Sequence, residues 1–350
     1  MVSNLTGIRG VAALWVFSLH YNEYFIGLIP GLSRFNFIFQ NGRFGVDLFF
    51  CLSGFILGYV YFNELGYKFD SRKIIYFYYK RFARLYPIYV ITFIVATIFY
   101  SIAISTGHEF NHESASNFSL SVIIQNFLGV QTWFGSNSLN GPAWSVSAEF
   151  AAYLLFPPLI LLLHRRNKSL KILSLVSLLL SIYIYETRYQ LFFLNHLLVR
   201  VLTEFTMGLC AYLLVKDLKV PAIICQMLRF FLTFMIVILL FFVHSEIILN
   251  SIIPLLLLTL ITLNFFHNNS GKGLSRKSIL NLGLWSYSLY MTHRLFQNIM
   301  SGLSLPLYDT NWAMKFLQLL LLLFVPIYTA FLATKYIENP ARRFLLKLWT

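Results

Sequence analysis

The stretch GIRGVAALWVFSLH, residues 7–20, decides the class of fold, because it is an apolar helical run with Arg9 at one end and His20 within it. The whole chain has 350 residues, of which 58% are hydrophobic and only 11% are charged. Its mean hydropathy of +0.70 is far above that of ordinary soluble domains. A helix needs about 20 mostly apolar residues to cross a bilayer. The composition therefore predicts an all-α, polytopic integral membrane bundle.

Ten apolar runs of this kind follow one another along the chain, separated by short polar clusters. We place the predicted spans near residues 8–28, 44–63, 85–105, 143–163, 170–185, 192–215, 229–244, 247–266, 279–300 and 313–335. A further apolar segment, 118–133, is too short and too polar to span, so we predict an interfacial or re-entrant piece within the longest loop, 106–142. The sequence thus predicts a single membrane domain over residues 1–350.

The basic residues lie mostly on one side of the predicted bundle. The loops after even-numbered spans and the C-terminal segment carry nearly all of the 27 Lys and Arg residues. The opposite side carries Arg34, Arg43, Arg188 and Lys315. By the positive-inside rule both termini are predicted to be cytoplasmic. The net charge of +14 is then a topology signal and a contact with anionic lipid, and it does not indicate nucleic-acid binding.

The three cysteines indicate no special chemistry. Cys51, Cys210 and Cys225 lie in or beside predicted spans, are odd in number and show no ligand spacing. Neither a disulfide framework nor a metal site is expected. The first span has no small-residue cleavage site after a basic region, so we expect it to be a retained helix.

Arg9 and His20 share one face of the first span. Eleven residues turn a helix through about three turns and rise about 16 Å. With a cytoplasmic N-terminus, Arg9 lies at the cytoplasmic end and His20 lies just past the midplane. Ionisable residues inside a span are costly and mark a functional site by default.

Other predicted spans carry ionisable residues at a similar depth. Counting about 1.5 Å per residue places Asp47 about 5 Å and Glu149 about 9 Å below the outer boundary. We expect a shared, water-accessible cavity that contains His20, Asp47, Glu149, His293 and Arg294. A separate cationic group gathers at the cytoplasmic face and consists of Lys80, Arg81, Arg84 and Arg9. For Asp47 a structural ion pair with Arg43 is the alternative.

Several motifs, in order, resemble those of the membrane acyltransferase 3 family. The opening pattern is matched by Arg9, Gly10, Ala12, Ala13 and His20, and the glycine-rich pattern by Gly45, Val46, Asp47, Leu48, Phe49, Phe50, Leu52, Ser53, Gly54 and Phe55. The Arg-x-x-Arg pattern is matched by Arg81, Arg84, Pro87 and Tyr89, and the Trp-Ser-x-Ser-x-Glu pattern by Trp144, Ser145, Ser147 and Glu149. The closing elements are Ser286, Tyr287, Ser288, Leu289, Tyr290, His293, Glu338, Pro340 and Arg342. One departure is Phe150, where many relatives have a second acid.

The resemblance implies transfer of an acyl group, most often acetyl, from cytoplasmic acyl-CoA to a hydroxyl of an acceptor at the outer face of a bacterial inner membrane. It implies an envelope glycan such as O-antigen or capsule as the acceptor, or else a secreted small molecule such as a macrolide. No metal is expected. Coenzyme A is a polyanion, so Lys80, Arg81 and Arg84 are the predicted donor site, with Arg9 guiding the thioester.

Transfer to an alcohol needs a base near the acceptor oxygen, and His20 is the predicted base. Either Glu149 or Asp47 is expected to hold its tautomer. The route is a direct attack on the thioester or an acyl-enzyme on His20 or Ser53. Trp144 and Tyr287 are candidates for a sugar-stacking platform, and His293 and Arg294 complete the predicted acceptor site.

Other functions compete with this interpretation. A multispan transporter or flippase also has buried ionisable residues, although we find no paired Gly/Pro-interrupted spans in corresponding halves. If the protein were a scaffold in a glycan-export complex, His20 would have no functional role. Individually, Arg9 could snorkel to the interface, and Ser53 with Gly54 could serve only close helix packing.

Overall fold

A computed structural model describes residues 3–106, 118–164, 168–186, 195–266, 273–302 and 312–349, and this part of the chain is helical without a strand. Its helices are α1 (Ser3–His20), α2 (Asn22–Leu28), α3 (Asn36–Gln40), α4 (Phe44–Leu65), α5 (Ser71–Ser105), α6 (Leu120–Leu128), α7 (Ala143–His164), α8 (Lys168–Glu186), α9 (His196–Val215), α10 (Ala222–Phe242), α11 (Glu246–Phe266), α12 (Lys277–Gly302), α13 (Trp312–Ala333) and α14 (Asn339–Trp349). The predicted all-α class is confirmed. Arg188, residues 107–117 of the predicted loop and residues 192–194 of the predicted sixth span lie outside the described residues.

Seven described helical stretches are long and apolar enough to cross a membrane. They are Pro30–Leu65, Ser71–Ile102, Ala143–His164, His196–Val215, Ala222–Phe242, Glu246–Phe266 and Trp312–Trp349. Helices also lie at the three other predicted spans, and two of these, α1 and α12, carry Arg9 and Arg294 inside them. The count of ten spans and the side of the termini stay predictions.

The first predicted span, 8–28, is not one continuous helix. Helix α1 ends at His20, the chain turns at Tyr21, and α2 begins at Asn22. The buried Tyr21 ring stacks on Phe17 with centroids 4.2 Å apart, and its hydroxyl donates to the carbonyl oxygen of His293 at 2.8 Å. This contact ties the bend to α12, so His20 lies at the end of a helix next to a fixed turn.

Close helix packing relies on small residues at two crossings. Helices α4 and α9 meet where a Cβ on Gly54 would overlap the carbonyl oxygen of Phe205, and one on Gly208 would overlap that of Cys51. Helices α1 and α12 meet in the same way at Gly10 and Gly283. Small residues let membrane helices approach closely enough for extensive dispersion contacts. These crossings bring the polar faces of α1, α4, α9 and α12 into one bundle core.

The segment predicted as an interfacial or re-entrant piece, 118–133, forms the nine-residue helix α6 and a short 3₁₀ turn, Gln131–Phe134. Gly129 ends α6 with a φ of 72°, a left-handed conformation that glycine adopts without strain. In the turn that follows, the Thr132 hydroxyl donates to the Trp144 carbonyl oxygen at 2.8 Å. The Trp133 indole N–H donates to the Ser147 carbonyl oxygen at 2.7 Å. The segment therefore buttresses the start of α7.

We predict that Gly208→Ala lowers the unfolding temperature of the detergent-solubilised protein. The added methyl group meets the backbone of α4, and overpacking of this kind costs about 1–3 kcal/mol. Thermal unfolding followed by a thiol-independent fluorescence probe measures the change. Gly31→Ala is the matched control, because nothing lies within 4 Å of a Cβ at Gly31. Equal unfolding temperatures for the two variants would contradict the close crossing.

Candidate active site

A cavity of about 100 Å³ lies between α1, α4, α5, α7 and α12. Its polar lining consists of Arg9, Ser53, Arg81, Arg84, Ser145, Glu149, Tyr153, Ser286, Tyr287 and Tyr290, and the remaining lining residues are apolar. Helix α4 contributes to the lining Val46, Phe49, Phe50, Leu52, Ser53, Ile56 and Leu57. Residues three and four apart share a helix face, so one stripe of α4 forms this wall.

The cationic end of the cavity is built by α5. Arg81 and Arg84 are three residues apart and therefore share a face. The Arg81 Nη2 donates to the Tyr61 hydroxyl at 3.1 Å, while its buried Nε has no hydrogen-bond partner among the described residues. Lys80 does not line the cavity; its Nζ lies 4.7 Å from the Tyr61 ring centroid and 4.3 Å from that of Tyr76.

Arg9 and Arg84 face the cavity without an ion pair or a hydrogen bond in the described part of the chain. The charges that act on Arg9 come from Arg84 and from the carboxylates of Glu149 and Glu338. Glu338 is buried in the π-helical turn Thr334–Glu338 and accepts from the Ser288 hydroxyl at 2.7 Å. Guanidinium groups that face a cavity in this way are available to bind an anion.

Glu149 on α7 also lines this cavity. Its Oε1 accepts from the Ser53 hydroxyl at 2.9 Å and also from the hydroxyl of Tyr153, one turn further along α7. Neither contact involves His20. Glu149 was predicted to hold the His20 tautomer. In the structure its Oε1 instead accepts from two hydroxyl groups, those of Ser53 and Tyr153.

Asp47 lies outside the cavity, in a buried ion cluster between α4 and α9. The Arg200 Nε donates to Asp47 Oδ1 at 2.7 Å and lies 3.3 Å from Glu204 Oε1. The alternative partner, Arg43, instead lies 3.7 Å from Glu246. Six residues turn a helix through about 600°, so Asp47 and Ser53 point about 120° apart around α4. Sequence reasoning missed Glu204, although its i,i+4 spacing from Arg200 is a recognisable signal.

His20 lies beside His293, with ring centroids 5.0 Å apart. His293 is only 1% exposed, whereas His20 is half-buried. The backbone at His20 is held as well, because the Gln297 amide donates to the His20 carbonyl at 2.8 Å. The Arg294 Nη1 in turn donates to Gln297 Oε1 at 2.6 Å. Gln297, which the sequence did not single out, links the predicted acceptor residues to the end of α1.

The prediction of one cavity shared by five ionisable residues is wrong in detail. His20, His293 and Arg294 form one group, Asp47 belongs to the cluster with Arg200, and Glu149 lines the cavity with the arginines. The prediction compared only the depth of each residue along its helix, whereas the face of the helix on which a residue lies decides which side chains meet.

One aromatic residue of the cavity lining lies beside the histidine pair. Tyr290 lines the cavity, and its ring centroid lies 6.0 Å from that of His293. Tyr287 also lines it and donates its hydroxyl to the Leu85 carbonyl at 2.6 Å. Trp144 is not a lining residue and packs against Phe50, with ring centroids 6.3 Å apart. Tyr287 and Trp144 thus occupy different surroundings.

No group of acidic, His or Cys side chains in the described residues is arranged to hold a metal ion.

Residues 2–335 match the family described as an acyltransferase domain, so the chain belongs to the acyltransferase 3 family. It is similar to the acyltransferase MdmB of Streptomyces mycarofaciens, with 32% identity over 44% of this chain and 38% of the relative. It is also similar to the O-acetyltransferase OatA of Staphylococcus aureus, with 26% identity over 83% of this chain and 49% of the relative. The chain thus spans at most about half the length of these two relatives. No solved structure matches.

We predict that Arg200→Met strongly destabilises the protein, because it leaves the buried carboxylates of Asp47 and Glu204 without their cation. Breaking a buried ion pair from one side costs about 3–5 kcal/mol. Arg43→Met is the matched control: its partner Glu246 has a side chain that is 75% exposed, and such pairs contribute about 0–1 kcal/mol. Thermal unfolding of both variants measures the difference, and equal stability would refute a structural role for the cluster.

Proposed function

We propose that this protein is a membrane O-acyltransferase, with acetyl as the transferred group, that moves the acyl group from cytoplasmic acyl-CoA to a hydroxyl of an extracytoplasmic cell-envelope glycan such as O-antigen or capsule. The observation that carries the proposal is the two-ended arrangement in the bundle core. Arg9, Arg81 and Arg84 line one cavity, and Tyr290 connects that cavity to the pair of His20 and His293.

The cationic end is our proposed donor site. Coenzyme A carries several phosphate charges, and arginine binds phosphate oxygens in bidentate fashion. Within the described ranges, Arg84 and Arg9 line the cavity without an ion pair or a hydrogen bond, and the buried Nε of Arg81 has no hydrogen-bond partner. Lys80 adds positive charge at the same end from its place over two tyrosine rings. The positive-inside rule predicts cytoplasmic termini, and in that topology this end faces the compartment that supplies acyl-CoA.

The histidine end is our proposed site of chemistry. His20 takes the proton of the acceptor hydroxyl, the hydroxyl oxygen forms the new ester bond, and the thioester C–S bond breaks. His20 then returns the proton to the departing thiolate. Direct transfer is the simpler route here, because Ser53 Oγ already donates to Glu149 and lies in the cavity rather than at His20. Arg294 and Gln297 hold the end of α1 in place for this step.

Family membership and the apolar helices support a place in the membrane, and the proposed inner membrane is where acyl-CoA on one side and envelope glycans on the other are both accessible. The name of OatA, an O-acetyltransferase, supports oxygen as the acylated atom and acetyl as the group. The name of MdmB adds only that this relative is an acyltransferase.

We predict that His20→Ala abolishes transfer of label from radiolabelled acetyl-CoA to the surface glycans of membranes that contain the protein. Loss of a general base costs about 10²–10⁴-fold. His244→Ala is the matched control, because His244 is an exposed histidine in the turn between α10 and α11. Protein levels are compared by immunoblot. Label that survives His20→Ala would exclude this base, and a protein-dependent solute gradient without any label would favour a transporter.

We predict that Arg84→Ala weakens acyl-CoA binding by at least about tenfold, since one charge-assisted contact contributes about 1.5–3 kcal/mol. Equilibrium binding of a non-transferable acyl-CoA analogue to the purified protein measures this without any acceptor. Lys219→Ala is the control, because Lys219 is an exposed cation in the loop after α9. Equal affinities for both variants would exclude the cavity as the donor site.

We predict that Ser53→Ala keeps transfer within about tenfold of the wild type, because direct transfer uses Ser53 only as a hydrogen-bond donor to Glu149. The same labelling assay measures it. A complete loss of transfer, together with label trapped covalently on the wild-type protein at Ser53, would instead establish an acyl-enzyme route.

A further inference from the structure

The tautomer of His293 can be assigned from its surroundings. Its Nδ1 lies 3.1 Å from the carbonyl oxygen of Leu289, one turn earlier in α12. A carbonyl oxygen can only accept a hydrogen bond, so Nδ1 must carry the proton. In the neutral ring the other nitrogen, Nε2, then presents a lone pair.

That lone pair is buried and unused. The His293 side chain is 1% exposed, and its Nε2 has no hydrogen-bond partner among the described residues. An unsatisfied buried acceptor costs about 1–3 kcal/mol, so such an atom calls for an explanation. The ring neighbours of His293 are Phe17 at 6.4 Å, Tyr290 at 6.0 Å and His20 at 5.0 Å between centroids. Of these three rings, the His20 ring is the nearest, and it carries an N–H group.

The carboxylates predicted to orient His20 are engaged elsewhere. Glu149 accepts from Ser53 and Tyr153 on the cavity wall, and Asp47 accepts from Arg200 between α4 and α9. A base that must keep one nitrogen free for a substrate proton still needs a partner for the other nitrogen.

We propose that His293 is the positioning residue for His20: its Nε2 accepts the N–H of the His20 ring and thereby leaves the other His20 nitrogen as the lone pair that takes the acceptor proton. Imidazole rings 5.0 Å apart reach a hydrogen-bond distance of about 2.7–3.2 Å between facing nitrogens by small side-chain rotations. When His20 takes the proton, its imidazolium keeps the same bond to Nε2. This pairing rests on the proposed acyl transfer.

Two further hydrogen bonds hold the backbones of His20 and His293 close together. The Tyr21 hydroxyl donates to the His293 carbonyl at 2.8 Å, so the residue after His20 is bonded to the residue that we propose as its partner. Gln297 bonds the His20 carbonyl from the next turn of α12. Both backbones are therefore fixed relative to each other, and the two rings remain the adjustable parts.

Two substitutions separate positioning from packing. In His293→Asn the amide nitrogen takes the place of Nδ1 and keeps the bond to the Leu289 carbonyl, but nothing replaces Nε2. In His293→Gln the longer side chain places an amide oxygen near the Nε2 position, where it can accept from His20. A merely structural role predicts that Asn is the better replacement, whereas our proposal predicts that Gln is.

In the acetyl-CoA labelling assay on membranes, we expect His293→Gln to retain kcat within about threefold and His293→Asn to lose at least about tenfold, with the KM for acetyl-CoA unchanged in both. Unfolding temperatures of both variants control for stability. Equal loss in the two variants, or better activity in His293→Asn, would overturn the proposal.

A second measurement does not depend on acyl transfer. Diethyl pyrocarbonate modifies the free nitrogen of imidazole, and mass spectrometry of the purified protein gives the rate at His20. We expect wild type and His293→Gln to react at similar rates and His293→Asn to differ by at least about threefold. Identical His20 rates in all three proteins would overturn the pairing. An inactive wild type with distinct rates would instead reject acyl transfer and keep the pairing.

Discussion

Hydrocarbon does not solvate charge, and this constraint sorts the ionisable residues of the bundle into satisfied and available groups. Arg200 pairs with both Asp47 and Glu204 between α4 and α9, where an unpaired charge would be very costly, although Oε2 of Glu204 has no hydrogen-bond partner among the described residues. Arg9 and Arg84 face a cavity, and the Nε2 of His293 has no hydrogen-bond partner in the part of the chain that the structure describes. The cost of leaving polar groups open inside a membrane is what makes these particular residues informative about function.

The same constraint explains the arrangement of the helices around them. Glycine contacts between α4 and α9 and between α1 and α12 bring backbones close enough that few side chains remain between them. The side chains of α1, α4 and α12 that line the cavity meet those of α5 and α7. The 3₁₀ turn after α6 holds the carbonyl groups of Trp144 and Ser147 at the start of α7, and Glu149 follows two residues later. A rigid frame around a small polar cavity suits the acyl transfer that we propose.

Much of this could be predicted from the chain alone. The all-α class, the family and the cationic set of Arg9, Arg81 and Arg84 followed from hydropathy, motifs and helical spacing, and the structure brings those three residues to one cavity. The break at Tyr21 was missed because only two polar residues, Asn22 and Glu23, follow it before the apolar run resumes at Tyr24. The partner of Asp47 was missed as well, because Arg200 lies 153 positions away in the chain.

The sequence by itself determined that the chain is a helical membrane protein, which family it belongs to and which residue types carry charge into the bundle. Composition and short motifs are local properties, so no packing is needed to recognise them. Only the tertiary structure decided which residues meet. Glu149 faces Ser53, Asp47 faces Arg200 and His20 faces His293. Those pairings depend on the rotation of each helix about its own axis, which contacts between distant segments set and depth along the helix does not encode.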